Sequence, residues 1–295
     1  VSTVDSGNLA GSLIALKQGC LAMPRQPIWR WEAWQGLADL LLLLAASLPD
    51  RVQHSTGGDK GSSQEDESTA RLVEHLAQIR ERVLAARSEP AQWQSLLHEL
   101  VTQDQQAINQ ELVDLLATHA GTLNSETLQN CRIFADRIRH HLDEMRHDMD
   151  RLLPWVGLLH TPPALLVKPN LAPALAEAWA TLQAAMPLAP RLDEIAAIYR
   201  AGQRQAQHLS EQIAATTPLA AEEATVAQAW CVRLTERLEI AHTAAKTLIA
   251  RYTTLAETAG RLATDMEFGF LFDAHRQLFH IGYNVEAGML DQNYY

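Results

Sequence analysis

The chain has 295 residues, 47% apolar and 20% charged, which is enough to bury a substantial core in one or two domains. Alanine and leucine dominate, and stretches rich in β-branched or aromatic residues are few, so the composition favours an all-α fold over a β architecture. A formal net charge of −11 excludes non-specific binding to nucleic acid or anionic lipid and leaves a neutral ligand such as a sugar open.

Other classes fall away on spacing. Cys20, Cys131 and Cys231 are far apart, odd in number and in no zinc pattern, which argues against a disulfide framework and for a reducing compartment. The most apolar run, residues 37–48, falls short of the roughly 18 residues a membrane span needs. No charged segment leads an apolar one as in a signal peptide. A Gly-rich phosphate loop, a GxSxG elbow and an HExxH pair are all missing, which removes nucleotide, serine-hydrolase and zincin readings.

Residues 1–6 read as extended, with Asp5 or Ser6 capping a helix that runs to about Leu21, where Pro24 and Pro27 break it. A second helix is expected from about Trp29 to Leu48, ended by Pro49 and Asp50. Residues 50–68 are polar, Gly-containing and acidic at Glu65, Asp66 and Glu67, and read as a flexible loop. Helix resumes at Thr69 on the stripe Leu72, Leu76, Ile79 and Val83, and a further helical stretch runs from Gln92 to His119.

After Asn124 and Ser125, a good cap, Leu128, Cys131, Ala135, Ile138, Leu142, Met145, Met149 and Leu152 alternate spacings of three and four as a heptad seam. Prolines 154, 162, 163 and 169 mark a connector, followed by helices at roughly 172–185 and 192–216. A second seam runs through Leu234, Leu238, Ala241, Ala245, Leu248, Tyr252, Leu255, Ala259 and Leu262. The two seams are expected to pack on each other or on a shared bundle core. Phe268, Phe270 and Phe272, then Leu278, Phe279, Ile281 and Tyr283, flank 273–277 as in a β-hairpin; Gly288 makes a turn and Asp291 is placed to cap a following helix.

Two blocks carry a family resemblance: the opening Val-Ser-Thr-Val-Asp-Ser-Gly-Asn-Leu-Ala-Gly of residues 1–11, and the closing Met-Glu-Phe-Gly-Phe-Leu-Phe-Asp…Leu-Phe-His-Ile-Gly-Tyr-Asn…Leu-Asp-Gln-Asn-Tyr-Tyr of 266–295. Both resemble blocks of the cyclic β-1,2-glucan synthases, large bacterial inner-membrane proteins. These join a glycosyltransferase, a glycoamylase-like (α/α)6-barrel domain and a phosphorylase-like domain in one chain.

The resemblance implies a helical-bundle insertion flanked by partial barrel elements: residues 1–34 as a barrel segment, 35–262 as the insertion, and 263–295 as hairpin and return to the barrel. It implies β-1,2-glucan and the parent's other domains as partners, and ring closure by transglycosylation as the activity. It also implies no cofactor in this segment, with UDP-glucose and a divalent metal used elsewhere in the parent. The segment is expected to be soluble and cytoplasmic, without direct membrane contact.

Where the family pattern has Asp, Tyr and Ser, this chain has Glu267, Phe272 and His280. The family's next segment, a helix with Ser-Glu-Ala-Arg, lies beyond Tyr295, and the chain starts at Val1 without methionine, so both ends read as cut and catalysis by the segment alone is not expected. A β-1,2-glucan hydrolase fragment and a noncatalytic helical spacer are the alternative readings.

Glycosyl transfer needs two carboxyl groups across the scissile bond. Asp5 is the candidate catalytic or substrate-contacting carboxylate, against the plain alternative of a helix cap. Ser6, Asn8, Glu267, Tyr283 and Asn284 are candidate substrate-binding groups, Tyr283 and Asn284 weighed against hairpin packing. Asp273 reads as a turn residue. His140, Glu144, His147 and Asp148 have a spacing that metal ligands use, but lie opposite Ile138, Leu142 and Met145 and so read as a solvated face, with no metal expected. Trp29, Trp31 and Trp34 could form a sugar platform; Trp29 and Trp31 point to different sides of a helix, which favours core packing.

Overall fold

The structure, a computed structural model, describes residues 1–48, 60–118, 124–216 and 220–295. Helices carry it: α1 (Thr3–Ala22), α2 (Trp31–Ser47), α3 (Lys60–Ala85), α4 (Trp93–Glu99), α5 (Gln105–Thr118), α6 (Ser125–Leu152), α7 (Trp155–His160), α8 (Pro173–Ala184), α9 (Ile195–Ala215) and α10 (Ala221–Thr264). Two short antiparallel hairpins follow, β1 (Phe272–Asp273) with β2 (Leu278–Phe279) and β3 (Tyr283–Asn284) with β4 (Met289–Leu290). The fold is all-α with this small β end, as the composition predicts.

The chain divides into two compact units. The first comprises Val1–Pro27, Arg191–Ala197 and His242–Tyr295; the second comprises Ile28–Pro190 and Ile198–Ala241. The breaks between the units fall at 27/28, 190/191, 197/198 and 241/242, the last inside α10.

The second unit is organised around α2, which packs on α3 and α6. Trp34, Leu37, Ala38, Leu41 and Leu44 form its buried stripe, while Leu42 and Leu43 of the same leucine run face outward. Each leucine so buried contributes roughly 1.5–3 kcal/mol. The stripe Leu72, Leu76, Ile79 and Val83 is buried along α3, and Cys131, Ile138, Leu142, Met145 and Leu152 along α6, as their periodicity requires. Asn124 caps α6, its Oδ1 accepting from the Thr127 amide at 2.7 Å. Leu48, ahead of Pro49, is extended (φ −72°, ψ 152°), which stops α2 at Ser47.

The seams find separate partners. That of α6 lies against α2, and the first half of α10 meets α8 through Trp230 and Trp179, 5.6 Å apart, and α9 where Leu238 closes on Gly202. In the second half the seam residues Leu255 and Leu262 turn outward, while Ala259 stays buried and is joined by Ala256 from outside the seam. A straight α-helix drifts by about 20° per heptad from a strict seven-residue repeat, so one seam cannot stay on one side for 44 residues.

Three expectations change. Of the segment read as a flexible loop, 50–59 lies outside the described residues, but Lys60–Ser68 belongs to α3, nine residues before the expected start at Thr69. A polar stretch too weak to nucleate helix can extend one already anchored by a buried stripe, and the Glu67–Arg71 pair at 3.2 Å adds to it.

The stretch expected as one helix from Gln92 is interrupted by a π-helical turn at Leu100–Asp104. It places Asp104 in a buried row with Leu100, Ile108 and Leu112. Asp104 is tolerated there because Arg82 donates to both its oxygens at 3.0 and 3.1 Å and also reaches Glu99 at 2.7 Å. His75 stands beside the same carboxylate at 3.6 Å and 2.9 Å from Glu111.

At the chain's end, Asp291 caps no helix within 291–295. Its Oδ1 accepts from the Asn293 amide at 2.9 Å, and the segment pairs back on the hairpin through a His280–Tyr294 bridge.

Candidate functional site

The first unit is built where the two ends of the sequence meet. The Thr3 amide donates to the Ile281 carbonyl at 2.8 Å and the Tyr283 amide to that of Val1 at 2.8 Å, around an antiparallel bridge between Ser2 and Gly282. Thr3 Oγ1 adds a 2.6 Å bond to the His280 carbonyl. Gly282 is required here: a β-carbon on it would stand 2.4 Å from the Val1 carbonyl oxygen. On the other side the Ile281 amide donates to Asn293 at 3.0 Å and the Tyr295 amide to Phe279 at 2.9 Å. Residues 279–283 are thus held between the opening and closing segments.

This pairing fixes the start of α1. Ser2, not Asp5 or Ser6, is the cap: its backbone is extended and its Oγ accepts from the Asp5 amide at 3.3 Å. Asp5 lies in the first helical turn and is exposed, where its charge favours the helix N-terminus. Ser6 is half-buried on the side of α1 that carries Ala10, Leu13, Lys17 and Cys20; Asn8 is exposed. The Lys17 side chain lies over Gly260 of α10.

Tyr283 and Asn284 do come together, beside a cavity of about 540 Å³ that Val1, Ser2, Met289 and Asp291 also line. Asp5, Ser6, Asn8 and Glu267 are not among the residues lining it. Tyr283 packs edge-on to Phe270 at 5.6 Å, and Asn284 Oδ1 accepts from the amides of Glu286 and Ala287 at 3.0 and 3.1 Å, closing the β3–β4 turn. Glu267 is exposed in the connector before β1.

Asp273 takes the turn role read for it. Its Oδ1 accepts from the amides of Arg276 (3.1 Å) and His275 (2.9 Å), and these bonds, with the Tyr294 hydroxyl and the nearby Arg276 charge, hold its carboxyl below the usual aspartate range. Arg276 lies over the Tyr294 ring at 4.6 Å, and the His280 and Tyr294 rings are 4.4 Å apart. The sequence gives no signal for this cluster, because hairpin register alone brings 273, 276, 280 and 294 together.

The remaining candidates keep the plainer role. Trp29 and Trp34 are buried and join Trp93, at 5.8 and 5.7 Å, in one aromatic core contact that Trp31 flanks at 6.4 Å. His140, Glu144, His147 and Asp148 are all exposed. Among the described residues, no group of three or more His, Cys, Asp or Glu is placed to hold a metal, and no helix is long and apolar enough to cross a membrane.

No family model matches the chain, and no curated protein matches it.

Proposed function

We propose that this chain is part of a cyclic β-1,2-glucan synthase, from the barrel domain that binds β-1,2-glucan and closes it into a ring. The observation that carries the reading is the hydrogen-bonded meeting of residues 1–3 with 280–283. The two blocks that resemble the family are more than 250 residues apart in sequence, yet they form one compact unit, as pieces of a single interrupted domain should.

The surface of α1 fits a barrel layer. At 3.6 residues per turn, Leu9 and Leu16 lie about 70° to one side of its packed stripe and Ile14 and Leu21 about 70° to the other. All four are 44–53% exposed. Apolar residues on both shoulders serve a helix with a neighbour on each side, the situation of every helix in an (α/α)6 barrel.

In the activity proposed, one glucosidic bond is broken, the freed anomeric carbon is joined to a hydroxyl at the other end of the same chain, and the fragment beyond the cleaved bond leaves with the proton that hydroxyl gives up, so no water is consumed. Asp5, Ser6, Asn8 and Glu267 contact glucan in the completed barrel, and Tyr283 and Asn284 form part of its wall. The segment works in the cytoplasm, without cofactor of its own, while the parent's glycosyltransferase supplies linear glucan from UDP-glucose with a divalent metal.

Residues 35–262 have a second, noncatalytic reading as a docking or spacing element. The observation favouring it is that two of the three tryptophans available as a sugar platform, Trp29 and Trp34, are buried in the helical core with Trp93.

The test is to give the full-length protein linear β-1,2-glucan and resolve the products by mass. Rings, each one water lighter than a linear chain of equal length, are expected; short linear products identify a hydrolase instead. Asp5→Asn should lower ring yield while the helical unit stays folded, and unchanged product size and yield sink the Asp5 assignment.

A further inference from the structure

Resting on that glucan reading, we infer that His280, Arg276 and Tyr294 form a hydroxyl-binding subsite for one glucosyl residue, distinct from the cavity beside Tyr283 and Asn284.

The chemistry begins at His280 Nδ1, 2.6 Å from the Asp291 carbonyl oxygen. A carbonyl can only accept, so Nδ1 carries the proton, and in the neutral ring Nε2 is left with its lone pair. Nε2 has no partner among the described residues. Backbone bonds keep the ring in place: the His280 amide donates to Leu271 at 2.9 Å and its carbonyl accepts from Thr3 Oγ1 at 2.6 Å. A tautomer fixed by a backbone carbonyl, with the other nitrogen open, is a pre-set acceptor for a hydroxyl group.

The complementary donor is Arg276. Its guanidinium lies over the same Tyr294 ring that His280 packs against, at 4.6 Å from the ring centroid. Tyr294 in turn is anchored by its hydroxyl on Asp273 and by the bridge to His280. An acceptor and a multivalent donor are therefore both held against one ring.

Charge selects the ligand class. An anion would meet the Nε2 lone pair, and the positive charge of Arg276 is already offset by Asp273 Oδ2, 3.9 Å from its Nε. A sugar hydroxyl can donate to Nε2 and accept from Arg276 without either penalty. A glucosyl unit within a β-1,2-linked chain keeps free hydroxyls at carbons 3, 4 and 6 for such pairing. The position is also one where this chain departs from the resembled pattern, carrying His280 in place of serine.

The experiment is an NMR titration of this 295-residue chain with a linear β-1,2-glucooligosaccharide, following the ring nitrogens of its histidines, and with inorganic phosphate as the anion probe. The His280 Nε2 signal should move with glucan and stay fixed with phosphate. His280→Asn, whose side-chain amide can still donate to Asp291, should bind glucan about tenfold more weakly, the loss of one hydrogen bond at an otherwise intact site. Arg276→Gln should weaken binding in the same direction.

If wild type and His280→Asn bind glucan equally, the subsite is wrong and the glucan reading stands. Phosphate binding at His280 overturns the ligand class assigned. If the wild-type chain binds no glucan, the subsite is overturned, and ring formation by the full-length protein decides the broader reading separately.

Discussion

The two compact units are stabilised by different physics. In the second, α2 lays a continuous row of large apolar side chains into α3 and α6, and Trp34, Leu37, Leu41, Leu72, Leu76 and Ile79 are sealed from solvent. In the first, the buried positions of α1 and the second half of α10 are small, Cys20, Ala256 and Ala259, while Leu9, Ile14, Leu16 and Leu21 stay in water. What joins the ends of that unit is backbone: Val1 and Thr3 against 280–283, and 293–295 against 279–281. The second unit turns its large apolar rows inward, whereas the large side chains of α1 in the first remain exposed.

That contrast can be broken most directly by large-to-small substitution on either side. Trp34→Ala should destabilise the helical unit by about 3–5 kcal/mol, seen in denaturant unfolding. Ile14→Ala in α1 should stay within about 0.5 kcal/mol in this chain. On the barrel reading proposed above, the same substitution in the full-length protein should become costly, because the side chain would then be packed. Equal, small effects in both proteins would remove the argument that the flanks of α1 are docking faces.

The next largest effect tests the polar contact inside the second unit. Arg82→Ala leaves Asp104 near the bottom of the packed row without its bidentate donor and should cost about 1–3 kcal/mol. Arg82→Ala combined with Asp104→Leu should recover much of that loss, since two apolar replacements leave nothing unsatisfied. A double variant as unstable as the single one would show that the π-turn needs the carboxylate itself.

How far the sequence could be read follows the same divide. The stripes of α3 and α6 were legible because apolar periodicity is local: each residue reports its own face. The π-turn was not, since Asp104 enters a buried row only because Arg82, 22 residues earlier, meets it. The start of α1 was misplaced for a similar reason. Asp5 and Ser6 are good caps in isolation, but the backbone of Ser2 is held extended by partners 280 residues away. Tyr283 and Asn284 stand out in the sequence and line a cavity in the structure, whereas the meeting of His280, Arg276 and Tyr294 was not legible, because two-residue strands leave no pattern from which register could be read.

In the first unit, Gly282→Ala should act through the backbone. The added methyl must push the Val1 carbonyl away, at about 1–3 kcal/mol of strain or local opening. Amide exchange at Thr3 and Tyr283 should accelerate together while exchange in α2 and α6 is unchanged. Protection lost throughout the chain would mean that the pairing of the ends supports both units.

The smallest effect expected is a pH dependence confined to the β1–β2 turn. Backbone bonds from Arg276 and His275 depress the folded-state pKa of Asp273, so the ionised carboxylate stabilises the turn above its unfolded value of about 3.9. That contribution is lost as pH falls through the folded value, since the protonated acid accepts those bonds poorly. Protection of the His275 and Arg276 amides, relative to their intrinsic exchange rates, should therefore fall at acidic pH, and Asp273→Asn should flatten the profile, because an amide oxygen accepts the same bonds without titrating. The helical unit has no part in this turn, so its exchange should not follow the Asp273 titration. If α3 and α5 open with the same midpoint, the two regions are not as differently built as their cores indicate.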